Sequence, residues 1–403
     1  MSTVSTLRYA IPAGILEHDD AMRALRHQIH AHPELAYEEF RTSDLVADRL
    51  ASWGYEVVRG IGGTGLVATL TAGGGSRALG LRADMDALPI HENTDKPYAS
   101  RIAGKMHACG HDGHTATLLA AARHLAETRR FNGRLHLIFQ PAEEGLAGAQ
   151  KMIEDGLFER FPCEAIFAYH NMPGFPAGRF GFLPGQAMAS SDTVIVKVHG
   201  KGGHGSRPHD TVDPVLVASH IVVALQTIVS RNVDPRRMAV VTVGAIHGGD
   251  APNVIPDMVE LRLSVRAHRP DVRQQLRERI ETVVASQAAV FGAFVDIDYR
   301  WRYPALVNDR AMTEFARDVA IRTFGEHALL SDPEPLTGSE DFSFMLEHCP
   351  GSYFIIGNGD GASCCSVHNP KYDFNDDLLS IGAAFWTALV ETFLAHGGHG
   401  ETR

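Results

Sequence analysis

The sequence lacks the cysteine pattern of a disulfide-stabilised protein. Its five cysteines stand at positions 109, 163, 349, 364 and 365, an odd and scattered set in a chain of 403 residues. Disulfide-rich secreted domains carry even numbers of closely spaced cysteines instead. The N-terminal residues also contain no apolar run long enough for a secretory signal. Both absences predict a protein of a reducing compartment, the cytoplasm.

Two further absences limit the partners. The sequence shows no run of roughly eighteen or more consecutive apolar residues, so it predicts no membrane span. It also lacks an excess of positive charge, because 37 lysines and arginines face 48 aspartates and glutamates, for a net charge of −11. This balance argues against nucleic acid or an anionic membrane surface as the main partner. A chain of this length predicts two domains, each with its own core.

The first part of the chain alternates short apolar runs with helical patterns. Near-continuous apolar segments lie at 65–70, 77–84, 134–140 and 164–170, and an Ala/Leu-rich helical segment lies at 114–128. Apolar runs of this kind are typical of strands that are covered on both faces. The pattern predicts an α/β fold with a mostly parallel mixed sheet and helices on both faces.

The middle of the chain has a different period. Polar and apolar residues alternate in "LRLSVRAH" (261–268) and without exception in "VDIDYRWRY" (295–303). Strict alternation indicates strands with one buried and one solvated face, as in antiparallel sheets. We therefore predict an α+β domain at 188–303, inserted into a discontinuous catalytic domain formed by 1–187 and 304–403.

Acidic and histidine residues follow the predicted strands of the first domain. They are Asp84, Asp86, Glu143, Glu144 and His170, together with the segment "MHACGHDGH" at 106–114. The carboxyl ends of parallel strands share one rim, where open α/β sheets place their sites. Imidazole, thiolate and carboxylate donors together suit zinc, manganese, cobalt or nickel rather than magnesium or calcium.

The chemistry of this rim can be sketched from the side chains alone. Adjacent Glu143 and Glu144 point in different directions, so one can hold metal while the other acts as general base on a water. Cys109 precedes the helix predicted near residue 114, and the helix dipole is expected to favour its thiolate form. The pattern predicts a metal site, and a redox role for Cys109 is less favoured because it has no C-x-x-C partner.

At these residues the sequence resembles a known family of dinuclear-metal amidohydrolases and carboxypeptidases. This family includes hippurate hydrolase, N-acyl-amino-acid amidohydrolases and plant auxin-conjugate hydrolases. The segments that carry the resemblance are "HAHPELAYEE" (30–39), "RADMDALPI" (82–90), "MHACGHDGHTA" (106–116), "IFQPAEEG" (138–145), "HNMP" (170–173), "GKGGHGSRPH" (200–209), "APNVIPD" (251–257), "TGSEDFS" (337–343) and "HNPKYDFND" (368–376). We interpret "HPEL" as structural, with Pro33 ending a helix.

The resemblance implies a zinc-exopeptidase-like catalytic domain that holds two divalent metal ions per subunit. The implied metal ligands are Cys109, His111, Glu144, His170 and His368. Glu143 becomes the general acid/base on a water that bridges the metals, and Asp86 the carboxylate that orients a ligand histidine. The expected metal is manganese, with zinc, cobalt or nickel as alternatives. Related branches carry a ligand histidine where this chain has Asp84, whose role stays open.

For the inserted domain, the resemblance implies a lid that also forms the interface of a homodimer or larger oligomer. His204 is expected to reach the site of the partner subunit and to stabilise an oxyanion. Asn253 and Arg266 are expected to hold the free carboxylate of the substrate. The implied pocket-lining residues are Gly338, Ser339 and Glu340.

The function implied is cleavage of the amide bond of N-acyl amino acids, hippurate-like substrates, to a carboxylic acid and a free amino acid. One alternative is a dipeptidase or carboxypeptidase that acts on short peptides by the same mechanism. Another is a metal-loaded binding protein without turnover, which the intact Glu143 argues against. The sequence does not distinguish among acyl groups or amino acids.

Overall fold

The structure is a computed structural model that describes residues 9–361 and 365–395, so Cys364 lies outside it. The strands are β1 (Glu56–Arg59), β2 (Leu66–Ala72), β3 (Ala78–Asp84), β4 (Gly133–Gln140), β5 (Ala165–Pro173), β6 (Phe180–Gly181), β7 (Gly185–Met188), β8 (Ser191–His199), β9 (Gly203–His204), β10 (Ala239–His247), β11 (Val254–Ile255), β12 (Met258–Ala267), β13 (Phe294–Tyr303), β14 (Leu306–Asn308) and β15 (Gly351–Gly359). The α-helices are α1 (Ala13–Leu16), α2 (Asp19–His30), α3 (Phe40–Ser52), α4 (His111–Thr128), α5 (Glu143–Leu146), α6 (Gly148–Glu154), α7 (Leu157–Arg160), α8 (Pro214–Asn232), α9 (Pro270–Val290), α10 (Arg310–Phe324), α11 (Phe342–Leu346) and α12 (Asp377–Phe393).

The first compact unit is built on a seven-stranded sheet with the order β1-β2-β4-β3-β5-β15-β6. The four central strands, β4, β3, β5 and β15, run parallel, whereas β1, β2 and β6 join in antiparallel pairs at the edges. Every residue of β3 is buried, because helices cover both faces of the sheet. The predicted mostly parallel mixed sheet is confirmed.

The core of this unit is aromatic around α12. Trp386 and Phe385 of this helix are almost fully buried and contact Phe354 of β15 with ring centroids 5.4 and 5.0 Å away. The long helix α4 is buried along most of its length, because α2, α3 and α12 pack against it. This packing fixes the position of His111, the first residue of α4.

The second compact unit carries a four-stranded antiparallel sheet with the order β10-β12-β8-β13. Along β12, the alternation predicted from sequence is observed, since Leu261, Leu263 and Val265 are buried between more exposed neighbours. On β13 the expected inner face is only partly buried, and Trp301 is 40% exposed beneath Arg273, whose guanidinium carbon lies 4.5 Å from the ring centroid. The sheet core is completed by α8 and α9.

By length and composition, α8 is the one helix of the described residues that could cross a membrane, although only 33% of its apolar window is buried. The helix starts with Pro214, and the carboxylate of Asp213 accepts hydrogen bonds from the first turn. Its buried stripe includes Val217, Ile221 and Leu225 and packs against α9, β10 and β12. This is the packing of an amphipathic helix on a sheet.

The junctions of the compact units lie within four residues of the predicted 188–303, and one further segment, Pro335–Ser343, belongs to the second unit. The first unit contains the chain up to Gly185, then Asn308–Glu334 and the chain from Phe344, and the second contains Gln186–Val307 and Pro335–Ser343. The predicted catalytic domain, 1–187 and 304–403, includes residues 335–343. In the structure, Leu336 N–H donates to Ala187 O (2.8 Å), and Ala189 N–H donates to Gly338 O (2.9 Å). Backbone pairing between segments so far apart leaves no hydrophobic pattern in the sequence of 335–343, so the sequence does not indicate which unit this segment joins.

Candidate metal centre

The carboxyl ends of β3, β4 and β5 bring the predicted donors of the first unit together. β3 ends at Asp84, β4 ends three residues before Glu143, and β5 carries His170 close to its end. Because the three strands are parallel, these ends meet at one edge of the sheet. The structure therefore groups side chains that lie up to 86 positions apart in sequence, from 84 to 170.

A glycine shapes the loop that carries Cys109 to this rim. Gly110 has φ 91°, and a Cβ atom there would stand 2.4 Å from Asn171 Oδ1 and 2.5 Å from the Tyr372 hydroxyl. Only glycine tolerates both the left-handed backbone and the close approach. The turn places Cys109 immediately before α4, and His111 follows as the first residue of the helix.

The five predicted ligands and Glu143 form three overlapping groups of donor atoms, each with its members within 4.8 Å of one another. The groups are Cys109 with His111 and His170, Cys109 with Glu144 and His368, and His111 with Glu143 and Glu144. Cys109 Sγ lies 3.2 Å from His170 Nε2, and Glu144 Oε1 lies 3.1 Å from His368 Nε2. Because the groups share members, they form one continuous cluster of sulfur, nitrogen and oxygen donors.

Hydrogen bonds outside the cluster orient its members. Asp86 accepts from Glu144 N–H at 2.9 Å, and its other oxygen lies 3.2 Å from His111 Nδ1. His111 Nε2 is thereby directed into the cluster, where it is buried without a hydrogen-bond partner. His170 Nδ1 donates a hydrogen bond to the Asn171 carbonyl at 2.6 Å. The other ring nitrogen, Nε2, is therefore the one that can bind a metal ion.

The backbone holds the last member of the cluster in an unusual conformation. His368 has φ 64°, and its N–H donates to the Ala108 carbonyl at 2.7 Å. A left-handed histidine is uncommon and persists where its surroundings hold it. The contact ties the loop that carries His368 to the loop that carries Cys109, although the two lie far apart in sequence.

The electrostatics of the cluster are those of a site for cations. Burial raises the pKa of the Cys109 thiol well above its ordinary value, and Glu144 and Glu143 raise it further. Burial alone would lower the pKa of His111, but the surrounding carboxylates, Asp84 first, raise it to about 10. Burial and negative charge thus act against the predicted effect of the helix dipole on Cys109. With the orphaned His111 Nε2, this donor set fits divalent metal ions.

Asp84, whose role the sequence left open, belongs to a buried network behind the cluster. Its carboxylate contacts Arg82 at 2.7 Å and His114 Nδ1 at 2.6 Å. His114 Nε2 lies 2.7 Å from Asn171 Oδ1, and the Asn171 amide donates to the Tyr372 hydroxyl. Burial alone would raise the pKa of Asp84, but His111, Arg82 and His114 hold it well below its ordinary value.

Sequence reasoning missed most of this network. His114, Asn171 and Tyr372 all lie inside segments that carry the family resemblance. Asn171 directly follows the predicted ligand His170, and His114 lies three residues after the predicted ligand His111. Their spacing in the chain gives no indication that they contact one another. Gly110 is the one feature of the sequence that is linked to this network, because the close approach of Asn171 and Tyr372 requires a glycine there.

In the second unit, two of the predicted substrate-binding residues contact each other. Arg266 lies on the more exposed face of β12, as predicted, and its Nη1 donates to Ser339 Oγ at 2.8 Å. Gly338 is fixed through its carbonyl, which accepts from Ala189. Glu340 is buried, and its carboxylate accepts from Phe342 N–H at the start of α11.

The other two predicted residues of this unit lie on a short ribbon. His204 in β9 is opposite Val254 in β11, and Asn253 O accepts from Gly205 N–H at 2.8 Å. Both His204 and Asn253 are exposed. Ser206 N–H lies 3.1 Å from His204 Nδ1 and donates to it, so the neutral ring carries its proton on Nε2.

A parallel sheet whose rim clusters thiol, imidazole and carboxylate donors beside a further carboxylate defines a metal-dependent hydrolase. The chain belongs to peptidase family M20/M25/M40, whose sequence profile matches residues 80–392. The donor clusters and the family together support two divalent metal ions.

Three known proteins show how far the similarity extends. The chain is 44% identical to hippurate hydrolase of Campylobacter jejuni over 380 residues, which cover 94% of this chain and 98% of that protein. It is 41% identical to N-acetyl-L-cysteine deacetylase of Bacillus subtilis, covering 93% and 88%. The crystal structure of YXEP from Bacillus subtilis, described as a dinuclear metal binding peptidase of the M20 family, matches with a TM-score of 0.81 and 31% identity over 94% and 99% of the chains. The chain is a metal-dependent amidohydrolase that cleaves amide bonds.

Proposed function

We propose that this enzyme hydrolyses N-acyl amino acids of the hippurate class to a carboxylic acid and a free amino acid. The observation that carries the proposal is the carboxylate of Glu143, which lies within 4.8 Å of the donor atoms of His111 and Glu144. A carboxylate at this position can act on a water held in the cluster. The relatives named hippurate hydrolase and N-acetyl-L-cysteine deacetylase support the class of substrate.

The proposed metal ligands are Cys109, His111, Glu144, His170 and His368. Two divalent ions held there would polarise the scissile carbonyl and lower the pKa of a bound water. We assign manganese first, since carboxylates suit it, and zinc second, since thiolate and imidazole suit zinc; cobalt and nickel are further alternatives.

The residues of the first unit would divide the chemistry as follows. Glu143 removes a proton from the attacking water and delivers it to the nitrogen of the leaving amine. Asp86 holds His111 by its Nδ1 and Glu144 by its backbone N–H, so that both ligands keep their orientation. Asp84 and His114 would support the rim from behind without touching the substrate.

The proposal assigns the substrate-binding groups to the second unit. His204 would donate from Nε2 to the developing oxyanion, because Ser206 N–H already donates to Nδ1. Arg266 and Asn253 would bind the free carboxylate of the substrate, for which the guanidinium fork has matching geometry. Ser339, which accepts from Arg266, would fix the orientation of that fork, and Gly338 and Glu340 would shape its loop.

We further propose a homodimer formed through the second unit, with His204 serving the site of the partner subunit. Ten of the fourteen large hydrophobic side chains that are exposed among the described residues belong to this unit, including Val215, Leu216 and Val223 of α8. This concentration of exposed apolar side chains in one unit supports an interaction surface there. Val223→Asp should convert the dimer to a monomer by light scattering, whereas Leu16→Asp, an exposed apolar side chain of the first unit, is the matched control.

The cytoplasm is the proposed compartment. Cys109, Cys163, Cys349 and Cys365 are all free thiols, and the Cys349 thiol donates to the Cys163 carbonyl at 3.4 Å without a disulfide. A reducing environment would keep Cys109 available as a metal ligand. The net charge of −11 argues against nucleic acid or membrane partners.

The decisive experiment is amino-acid release from a panel of N-benzoyl, N-acetyl and indole-acetyl amino acids and dipeptides. The protein is stripped with chelator and then supplied with manganese or zinc. Metal-restored release from one acyl class supports the proposal and identifies the acyl group. Release from dipeptides alone would replace it with a dipeptidase or carboxypeptidase, and no release with metal bound would contradict hydrolysis of this substrate class.

A further inference from the structure

The segment 30–39 holds a buried carboxylate that the proposed mechanism does not use. Glu39 is 0% exposed and stands at the position that precedes α3, where a side chain often caps the helix. Its side chain makes no capping hydrogen bond. Glu34 caps the helix instead, accepting from Arg41 N–H and Thr42 N–H at 2.9 Å each. The helix therefore needs nothing from the Glu39 carboxylate.

Glu39 is directed at the turn that follows β4. Its Oε1 accepts from Ala142 N–H at 2.9 Å, across 103 positions of sequence, and its Oε2 accepts from the Thr64 hydroxyl. Thr64 itself is 5% exposed. The carboxylate thus connects three segments of the first unit: the start of α3, the loop before β2 and the turn after β4.

The turn that Glu39 holds is strained. Ala142 has φ 54° and ψ 41°, a left-handed conformation that costs free energy in a residue with a Cβ. Such a conformation persists only where the surrounding structure holds it. Two hydrogen bonds do so here, because Ala142 N–H donates to Glu39 and Ala142 O accepts from Gly148 N–H at 3.0 Å.

Ala142 directly precedes Glu143, so its conformation sets the direction of that side chain. On the other side, Glu144 N–H donates to Asp86 Oδ2 at 2.9 Å. Two carboxylates therefore hold the backbone on both sides of Glu143. Asp86 contacts the ligand His111 as well, whereas the described hydrogen bonds of the Glu39 side chain go only to the scaffold around the turn.

Burial raises the pKa of Glu39 to about 7, against the hydrogen bond from Thr64, and the negative charge of Asp86 adds to the rise. A carboxyl group in this setting is costly for stability, because its charged form loses hydration. Neither the cap of α3 nor the apolar core explains the presence of this carboxyl group. Its hydrogen bond from Ala142 N–H does explain it.

We propose that Glu39 is a positioning residue, which holds the left-handed Ala142 turn and through it the direction of Glu143. This inference rests on the proposed role of Glu143 as general base. It assigns to Glu39 a geometric role: the carboxyl oxygen is needed as an acceptor for Ala142 N–H, and its negative charge is not. Glutamine offers the same acceptor at the same reach and can donate its amide to the Thr64 oxygen.

The test compares three variants by kcat, KM, bound metal and thermal midpoint. Glu39→Leu should lower kcat by roughly 10- to 100-fold with little change in KM or metal content, since small displacements of a catalytic group have effects of this size. Glu39→Gln should retain most of the wild-type kcat. Glu34→Ala is the matched control from the same segment, which should lower the thermal midpoint and leave kcat unchanged.

If Glu39→Leu does not fold, Thr64→Val decides, because it removes one hydrogen bond to Glu39 at nearly constant volume. Its kcat should fall about fivefold, the effect of one hydrogen bond. The proposal is overturned if Glu39→Leu has the kcat of wild type. If Glu39→Leu does not fold, a wild-type kcat in folded Thr64→Val overturns it instead. A loss in Glu39→Gln as large as in Glu39→Leu would also overturn it, since charge would then be what matters.

Glu143→Gln, assayed beside these variants, separates the two proposals. If Glu143→Gln retains turnover, the role of Glu143 is wrong and Glu39 has no base to position. If Glu143→Gln is inactive and Glu39→Leu is fully active, only the inference about Glu39 fails. In the double variant, Glu39→Leu should add no further loss to Glu143→Gln, because it acts through the same side chain.

Discussion

The two units of this enzyme present their polar side chains in opposite ways. In the first unit the donors and the proposed base are mostly buried, and further hydrogen bonds hold them: His111 is 1% exposed and Glu143 is 7% exposed. In the second unit His204 and Asn253 are exposed, and α8 displays Val223 at 71% exposure. The first unit is thus preorganised by its own core, whereas the proposed substrate-binding groups His204 and Asn253 of the second unit are exposed to solvent.

This contrast predicts that changes in the first unit abolish chemistry, while changes in the carboxylate-binding residues of the second unit mainly affect binding. The largest expected effect is that of Glu143→Gln, which removes the proposed base but keeps its size. Turnover should fall by about 10³-fold, as general acid/base catalysis typically contributes. Metal content, measured by mass spectrometry, should stay at the wild-type value. Turnover within tenfold of wild type would refute the assigned role.

Loss of a ligand in the first unit should show in metal binding before it shows in the fold. Cys109→Ser replaces the sulfur that two donor groups share. Metal affinity should fall by about 100-fold or more, since even changes behind the ligands reach this size. Titration with manganese and zinc measures it, with Cys365→Ser as control. An unchanged titration would remove Cys109 from the ligand set.

A buried ion pair of the first unit should make its stability depend on pH. His30 Nδ1 lies 2.8 Å from Asp112, and although burial lowers the pKa of His30, Asp112 and Glu92 raise it to about 9 from an ordinary 6.5. A folded pKa above the unfolded one means that the contribution is complete below about pH 6.5 and lost as the pH rises through about 9.

The size of this contribution is on the order of 3 kcal/mol, from about 1.4 kcal/mol for each unit of pKa. The measurement is the thermal midpoint of wild type against His30→Gln between about pH 6 and pH 10, at a fixed saturating metal concentration. The advantage of wild type should shrink across this range. An advantage independent of pH would contradict the ion pair.

In the second unit the effect should be smaller and confined to binding. Arg266→Lys keeps the charge but loses the fork that contacts Ser339. KM for the N-acyl amino acid should rise about tenfold with kcat nearly unchanged, because the variant loses about one hydrogen bond to the charged carboxylate of the substrate. Arg262→Lys on the same strand is the control. A lower kcat at constant KM would place Arg266 in the chemistry instead.

The sequence was a good guide wherever function depends on a strand end or a short segment. The donors Cys109, His111, Glu144, His170 and His368 were all identified before the structure, and the structure gathers them. Strand ends predicted that Glu144, His170 and the segment with Cys109 and His111 lie at one rim, because parallel strands deliver their carboxyl ends there. His368 was named from the family resemblance. Their roles as ligands remain proposals that the titration tests.

The sequence was a poor guide to the groups that support the rim. Asp84, His114, Asn171 and Tyr372 form their network across as many as 201 positions, as between Asn171 and Tyr372. The charge of Cys109 also depends on the fold, since burial and Glu144 raise the pKa of its thiol and act against the helix end. Desolvation and charge at a site are sums over neighbours that only the fold defines.

By itself, therefore, the sequence determined the class of fold, the donor types and the chemistry of metal-dependent hydrolysis, because these are written in local composition, period and spacing. The tertiary structure alone decided that segment 335–343 packs with the second unit, that Glu34 caps α3, and that Glu39 turns away to hold Ala142. The contact of Glu39 with Ala142 is a long-range hydrogen bond of a fully buried carboxylate. Burial makes such a bond obligatory, but nothing in the neighbouring residues names the partner.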